Sequence, residues 1–213
     1  MPVALVLASA SPARLSTLRS AGVDPEVIVS EVDEDAVLAS TRETHLAAGW
    51  GDLTPADAVL ALARAKAEDV AGEWDTDAIV LGCDSMLELD GEVMGKPADA
   101  HVAIQRWRSM RGRQGVLHTG HWLVDDREAG TGATLGATSS TVVRFADLSD
   151  AEIEAYVATG EPLRVAGAFT VDGLGGPYVE AIEGDYHGVV GVSLPLLRTL
   201  LLELEVPFHE LRG

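Results

Sequence analysis

The stretch Val3-Ala4-Leu5-Val6-Leu7-Ala8-Ser9-Ala10-Ser11-Pro12-Ala13-Arg14 joins an apolar run to the start of a helix. The continuous apolar run from Val3 to Ala8 predicts a strand that is buried on both faces. Ser11 is a suitable N-cap and Pro12 suits the first helical position, so a helix should follow and end at Gly22. A buried strand that passes directly into a helix is typical of α/β proteins.

Strand and helix patterns alternate along the rest of the chain. Helices are predicted from Thr54 to about Trp74, from about Asp99 to Arg111, from Ser149 to near Gly160 and from Leu194 to Leu204. Strands are predicted at Val27–Val29, Ala78–Cys83, near 114–125 and near 137–147, with a hairpin about Asp90-Gly91. Residues 39–53 are predicted to form a polar loop. The pattern indicates an α/β fold with a mixed central sheet flanked by helices, in a single domain over residues 1–213.

The composition excludes several classes of protein. Hydrophobic residues make up 47% of the 213 residues, enough for a substantial core, and the net charge of −19 argues against a nucleic-acid or anionic-membrane surface. No apolar stretch reaches the length of a membrane span. The single cysteine, Cys83, excludes an intramolecular disulfide and fits a reducing compartment. We therefore expect a cytoplasmic protein that binds neither a nucleic-acid polymer nor a membrane.

Lysine is rare in this chain, because only Lys66 and Lys96 occur beside thirteen arginines. Lys66 lies within a predicted helix, and Lys96 lies in the short rigid loop Gly95-Lys96-Pro97. A lysine that persists in an arginine-rich composition suggests a place where a compact ammonium is needed rather than a flat guanidinium. The alternative is that two lysines remain by chance.

Two strand ends carry polar residues that could act on a ligand. Ser9, Ser11 and Arg14 surround a predicted helix N-terminus, where free N–H groups and the helix dipole favour an anion such as phosphate. Asp84 follows a buried strand and could act as a general base or a metal ligand, and the hairpin could fold Lys96 back toward it. The alternatives are an ordinary N-cap with a solvent-facing arginine, a capping aspartate and a surface lysine.

Three further groups contain residues that could bind a metal or react. Asp33-Glu34-Asp35 offers oxygen ligands that suit Mg²⁺, although a solvated acidic loop explains the same residues. His118 and His121 suggest zinc, but residues three apart in a strand point to opposite faces, so we expect no shared metal. Cys83 is expected to be a small buried residue rather than a nucleophile.

Taken in order, these motifs resemble one family over essentially the whole chain, the Maf-like nucleoside triphosphate pyrophosphatases, also named septum-formation inhibitors. Each motif alone is weak, and their order and spacing carry the resemblance. The matching segments are Leu7–Arg14, Val32–Glu34, Ala63–Ala67, Cys83–Ser85, Gly95–Pro97, Thr119-Gly120, Tyr156–Pro162, Ala166–Phe169 and Ile182–Asp185.

The resemblance implies two lobes around a nucleotide cleft, and hydrolysis of a nucleoside triphosphate between its α and β phosphates. By this resemblance Asp84 matches the catalytic base, and Glu34 matches an acidic position near a divalent metal, Mg²⁺ or Mn²⁺, which Asp84 would share. The family's polar and cationic phosphate contacts fall at or beside five residues of this chain, Ser9, Ser11, Arg14, Lys66 and Lys96. A homodimer is also implied.

The segment Val165–Gly175 bears on the choice of base. The branch of the family that prefers dTTP and UTP has Lys at the position of Val165 and Gln at that of Asp172. The branch that acts on 7-methyl-GTP has an uncharged residue, then an acidic one, then Gly-Leu-Gly, as here. A carboxylate only accepts hydrogen bonds, so Asp172 suits the N–H donors of guanine better than a pyrimidine imide. Ala13 and Gly115 depart from the family's usual residues.

Other functions are compatible with the sequence. The chain could be a nucleotide-binding regulator of septum formation or cell division without turnover, a metal-dependent phosphatase that releases orthophosphate, or a purely structural domain. The placement of both lysines in family motifs argues against the last of these.

Overall fold

The structure, a computed structural model, describes residues 2–212. Its central element is one seven-stranded sheet. The strands are β1 (Leu5–Ala8), β2 (Glu26–Val27), β3 (Ile79–Leu89), β4 (Glu92–Met94), β5 (Gln114–Asp125), β6 (Thr134–Phe145) and β7 (Val179–Glu183). The helices are α1 (Pro12–Ser20), α2 (Glu34–Ala48), α3 (Pro55–Glu73), α4 (Ala100–Met110), α5 (Asp150–Ala158), α6 (Tyr186–Val190) and α7 (Leu194–Glu203). Short 3₁₀ turns cover Glu161–Arg164, Ala166–Ala168, Gly176–Tyr178 and Phe208–Leu211.

The sheet is mixed, as the sequence predicts. Its order is β2-β1-β3-β5-β6-β7, with β4 paired to β3. β1 runs parallel to β2 and β3, whereas β3, β5, β6 and β7 pair antiparallel in succession. The predicted hairpin about Asp90-Gly91 is confirmed, because Leu87 pairs with Met94 and Leu89 with Glu92.

The long strand β3 has an interruption along one edge. On that edge β1 pairs with Ile79–Gly82 and β4 pairs with Leu87–Leu89, while on the other edge β5 pairs with β3 from Ile79 to Glu88. Within residues 2–212, Cys83–Met86 therefore has a strand partner on one side only. We refer to this edge, Cys83–Met86, as the β3 gap.

Helix α3 lies unusually close to the sheet because two glycines face it. A Cβ on Gly82 of β3 would stand 2.0 Å from the carbonyl oxygen of Ala63, and a Cβ on Gly120 of β5 would stand 2.3 Å from that of Val59. Only glycine permits so close an approach of two backbones. The helix residues after Ala63 are thereby held against the β3 gap.

Two hydrophobic clusters lie on the two sides of the β3 gap. The first contains Leu87 and Leu89 of β3 together with Trp107 of α4. The second contains Ile79 and Leu81, together with apolar residues of β1, α1 and α7. The structure therefore has two lobes that share the same strands, and the gap marks the boundary between them.

The prediction of a polar loop at residues 39–53 is wrong, because α2 occupies Glu34–Ala48 and ends at Gly49 with φ 73°. The helix has no buried residue, so it is not stabilised by packing an apolar face against the core. Capping supports it instead, since the Asp33 side chain accepts the Ala36 N–H. The other predicted helices and the strands near 114–125 and 137–147 are confirmed within a few residues.

Among residues 2–212, no helix is at once long enough and apolar enough to cross a bilayer.

Candidate active site

Three predicted site residues meet at the β3 gap. Lys66, on the face of α3 that lies against the sheet, places its Nζ 2.6 Å from Oδ1 of Asp84 and 2.7 Å from Oε1 of Glu34. Glu34 is the first residue of α2, so the helix that the sequence pattern missed supplies the third member. The side chains of Lys66 and Asp84 are only 12% and 13% exposed, whereas that of Glu34 is 54% exposed. One ammonium thus joins α2, α3 and β3.

Asp84 keeps one carboxylate oxygen open. Within residues 2–212 its hydrogen-bond partner is Lys66, which binds Oδ1. No buried side-chain oxygen or nitrogen in this part of the chain lacks a partner. Because Oδ2 has no protein partner among these residues, it must reach solvent. One oxygen is therefore fixed by a cation, and the other can accept a proton from a water molecule.

Arg14 closes the β1 side of the gap. Its guanidinium donates to the carbonyl of Cys83 at 2.8 Å, to Oγ of Ser9 at 2.9 Å, to Oγ of Ser85 at 3.1 Å and to the carbonyl of Gly191 at 3.1 Å. The Cys83 carbonyl is free to accept because β1 ends opposite Gly82. These four bonds use four of the five N–H groups of the guanidinium. Arg14 is not the solvent-facing arginine of the alternative interpretation.

A chain of hydroxyls continues from Arg14 across the sheet. Arg14 can only donate to Ser85 and the Gly188 carbonyl can only accept from Thr119, at 2.8 Å. The Ser85 hydroxyl must therefore donate to Oγ1 of Thr119, 2.9 Å away. The hydroxyl protons of Ser85 and Thr119 therefore each have a single acceptor. These two side chains are fixed before a ligand binds.

The predicted phosphate-binding residues of the first loop hold one another. Oγ of Ser9 accepts the N–H of Ser11 at 3.3 Å, and Oγ of Ser11 caps α1 by accepting the N–H of Arg14 at 3.4 Å. Both hydroxyls accept from the loop and from Arg14, and their own protons remain available for a ligand. The loop thus places two O–H donors and a helix N-terminus beside the gap.

Two buried residues, Cys83 in the gap and His121 of β5, are uncharged near neutral pH. Burial raises the pKa of the Cys83 thiol to about 12, which agrees with its predicted role as a buried packing residue. Burial, assisted by the charge of Arg14, lowers the pKa of His121 to about 4. Nε2 of His121 accepts the N–H of Ser193 at 2.8 Å, so Nδ1 carries the proton and donates to the Thr119 carbonyl at 3.0 Å.

The other histidine of the pair belongs to a separate environment. His118 lies near Oε2 of Glu88 at 3.0 Å and Oγ of Ser140 at 2.8 Å. In the described part of the chain no three His, Cys, Asp or Glu side chains are grouped to hold a metal ion. The two histidines therefore have separate sets of partners, Glu88 and Ser140 for His118 and backbone groups of Thr119 and Ser193 for His121.

Lys96 and Asp172 are not in contact with the Asp84 cluster. Both side chains belong to exposed residues, and neither forms an ion pair within residues 2–212. Their loops nevertheless adjoin: the Gly95 carbonyl, next to Lys96, accepts the N–H of Gly167 at 3.2 Å and a bond from Arg106. A Cβ on Gly167 would stand 2.8 Å from Leu87 of β3. These loops therefore lie beside Leu87, where β4 begins to pair with β3, whereas Arg14 contacts Cys83 and Ser85.

Several residues of the site carried no predicted role. Ser85 and Thr119 fall within the motifs of the resemblance, and alternation along β3 and β5 could have placed them on the face opposite Asp84. Glu161, which holds the loop that contains Asp172, also falls within a motif of the resemblance, Tyr156–Pro162. Its role could not be predicted from that motif, because its partners include backbone N–H groups of Leu174 and Gly175.

The sequence is similar to that of known proteins over most of its length. The model of the Maf-like protein family matches residues 4–204. A nucleoside triphosphate pyrophosphatase of Salinispora tropica is 56% identical over 211 residues, covering 97% of this chain and 86% of that protein. One of Streptomyces coelicolor is 53% identical over 208 residues, covering 97% and 93%. The crystal structure of a nucleoside-triphosphatase / dITP/XTP pyrophosphatase from Mycobacterium abscessus aligns with only 13% identity and a TM-score of 0.39. By its match over nearly its whole length, the chain belongs to the Maf-like protein family.

Proposed function

We propose that this protein hydrolyses a nucleoside triphosphate between its α and β phosphates and releases a nucleoside monophosphate and pyrophosphate. The observation that carries the proposal is the cluster of Lys66, Asp84 and Glu34 at the β3 gap, beside the arginine and hydroxyls of the first loop. The names of the Salinispora and Streptomyces relatives support the same activity.

Asp84 serves as the general base in this proposal. Lys66 fixes one of its oxygens at 2.6 Å, and the other reaches solvent, where a water molecule can lie in line with the α phosphorus. Transfer of the water proton to Asp84 generates the nucleophile as the bond to the β phosphate breaks. A partly buried carboxylate with a fixed orientation suits this step, because little reorganisation is needed when the charge moves.

Cationic and hydroxyl groups on both sides of the gap stabilise the phosphates. On one side Ser9, Ser11 and the remaining N–H of Arg14 bind phosphate oxygens, with the N-terminus of α1 contributing its dipole. On the other side Lys96 projects from an exposed loop and binds the leaving pyrophosphate. Negative charge builds up on that group in the transition state, so the cations contribute most at that point.

Glu34 and Asp84 also fit a divalent cation. Their oxygens already converge on one positive group, the Lys66 ammonium, and two carboxylates together with substrate phosphates are a usual set of ligands for Mg²⁺. Mg²⁺ or Mn²⁺ held by these residues would supply positive charge against the phosphate oxygens. The net charge of −19 makes such local compensation necessary for a polyanionic substrate.

Measuring pyrophosphate release over a panel of canonical and modified triphosphates with Mg²⁺ tests the proposal. Asp84→Asn should lower the rate about 100- to 10,000-fold, because the proton acceptor is lost. Asp150→Asn is the matched control, since it removes a carboxylate that pairs with Arg108 and Arg111 outside the site. Excess EDTA should abolish turnover by both the wild type and this control.

Three results would contradict the proposal. Release of orthophosphate in place of pyrophosphate would indicate a phosphatase, and an Asp84→Asn variant as active as the wild type would remove the proposed base. Nucleotide binding without any turnover across the panel would favour a regulatory binding protein instead.

Asp172 is proposed to select the base. It lies exposed on the loop beside Gly167, and its carboxylate accepts from N–H donors such as those of guanine. Asp172→Gln should raise the turnover of dTTP or UTP relative to guanine nucleotides by about tenfold, since an amide can both donate and accept. Steady-state kinetics measure the ratio, with Asp52→Gln in another exposed loop as control. An unchanged base profile would refute the assignment.

A further inference from the structure

The carboxylate of Glu161 holds both ends of one short loop. It accepts the Thr170 hydroxyl and the N–H of Gly175 on Oε1, and the N–H of Leu174 on Oε2 at 3.0 Å. The Tyr156 hydroxyl donates to the same carboxylate at 3.1 Å and accepts the N–H of Thr170 at 3.2 Å. The loop Thr170–Gly175 is therefore attached at its first residue and at its last two.

The glycines of this loop are explained by the same contact. A Cβ on Gly173 would stand 2.6 Å from Oε2 of Glu161, and a Cβ on Gly175 would stand 2.4 Å from the Tyr156 hydroxyl. Neither glycine has a positive φ, so neither is required by backbone conformation. Gly173 is required because the loop passes so close to the carboxylate, and Gly175 because it passes so close to the Tyr156 hydroxyl.

Four donors act on the Glu161 carboxylate. Burial opposes its ionisation, yet these hydrogen bonds hold the pKa of Glu161 below its usual value. The charged form is thus the one that the loop stabilises. An amide at this position would present an N–H₂ group to a backbone N–H, and one of the loop attachments would be lost.

The chain leading into the loop is anchored as well. The indole N–H of Trp107 donates to the Ala168 carbonyl at 2.8 Å, and Gly167 and Ala168 have φ values of 70° and 59°. Because Gly167 and Ala168 are held before the loop and Glu161 holds its last residues, the backbone at Asp172 has little freedom to move. Asp172 itself forms no hydrogen bond with residues 2–212, so its position depends on the loop backbone.

We propose that Glu161 is a positioning residue for base selection, which fixes the conformation of Thr170–Gly175 and thereby the position at which Asp172 meets the nucleotide base. The proposal rests on the proposed function, and it assigns to Glu161 no contact with the reacting phosphates.

The test compares kinetics over the nucleotide panel for the full chain and three variants. Glu161→Gln should raise KM for the preferred nucleotide and reduce the ratio of kcat/KM between preferred and disfavoured bases by about fivefold or more. Its kcat on inorganic tripolyphosphate, which has no base, should stay within about twofold of the wild type. Gly173→Ala, which leaves the carboxylate intact but displaces the loop, should reduce the ratio in the same way.

Asp125→Asn is the control for a purely structural role. Asp125 likewise holds a turn, by accepting from Arg127 and from the N–H of Thr131. It is the last residue of β5 and pairs with Ile79 at the start of β3, so it lies away from the β3 gap. It should lower the melting temperature without changing the ratio between bases. If Glu161→Gln also lowers the melting temperature while the ratio stays within twofold of the wild type, the proposal is overturned.

Two further outcomes separate this proposal from the proposed function. If Glu161→Gln does not fold, Tyr156→Phe removes one hydroxyl of the network and should reduce the same ratio less strongly, and an unchanged ratio overturns the proposal. If the wild type releases no pyrophosphate, the proposed function fails, and calorimetric binding of the same nucleotides still tests Glu161 by the ratio of affinities. Equal ratios in the wild type and Glu161→Gln then overturn it.

Discussion

His121 shows how one buried side chain makes stability depend on pH. Its pKa of about 4 in the folded protein lies below its ordinary value of 6.5, so between these values the unfolded chain binds a proton that the folded chain does not. Stability is therefore complete above about pH 6.5 and decreases as the pH falls to about 4. At 1.36 kcal/mol for each pKa unit, the loss should approach roughly 3 kcal/mol.

Urea denaturation at a series of pH values measures this loss. His121→Gln keeps one acceptor and one donor but does not titrate, so its stability should change much less over this range. His101→Gln, on the surface, should follow the wild type. Coincident profiles for the wild type and His121→Gln would show that another group carries the dependence. Asp125, whose pKa Arg127 lowers to about 2, acts below this range.

Individual residues of the site differ in how far the sequence revealed them. The rarity of lysine points to Lys66, and the end of a buried strand points to Asp84. Neither pattern predicts that the two side chains touch, and only the resemblance assigns both to one site. They are 18 residues apart, and only the packing of α3 on β3 joins them. Glu161 lies in the motif Tyr156–Pro162, but its role is not predictable from the sequence, because it depends on a loop conformation that no local pattern encodes.

Helix α3 carries Lys66. The distance of this helix from the sheet is set by Gly82 and Gly120, which face it. Gly82→Ala should destabilise the protein by about 1–3 kcal/mol, since its Cβ would lie 2.0 Å from a backbone oxygen that cannot rotate away. The displaced helix would also move Lys66 from Asp84, so pyrophosphate release should fall. Denaturant titration and the pyrophosphate assay measure the two effects.

Gly72→Ala, on the same helix, provides the matched substitution. A Cβ there has nothing within 4 Å, so the change should stabilise the protein by about 0.5–1 kcal/mol and leave activity unchanged. If Gly82→Ala and Gly72→Ala behaved alike, the close approach of α3 to the sheet would not be needed for the site.

Among the helices, those with a buried face were predictable and α2 was not. The helices α3, α4 and α7 each bury apolar residues at helical spacing, so their patterns are visible in the sequence. α2 buries none, and its acidic start resembles a solvated loop. The strand β7 and the short helix α6 were also not assigned from the sequence, because glycines interrupt that region and local patterns are too short to classify.

The two lobes are not separate domains joined by a linker. Each has its own hydrophobic cluster, but β3, β5 and β6 contribute residues to both. The mixed sheet was predictable from the alternation of strands and helices, whereas the β3 gap was not. It depends on where β1 ends and β4 begins along β3, which is a matter of register.

The continuity of β3, β5 and β6 through both lobes has a mechanical consequence. Hinge closure concentrates rotation in a few loop residues, but here a rotation of one lobe against the other must bend or twist three hydrogen-bonded strands together. We therefore expect the two lobes to keep nearly the same separation with and without a nucleotide. The freedom lost on binding would then be mainly that of the nucleotide.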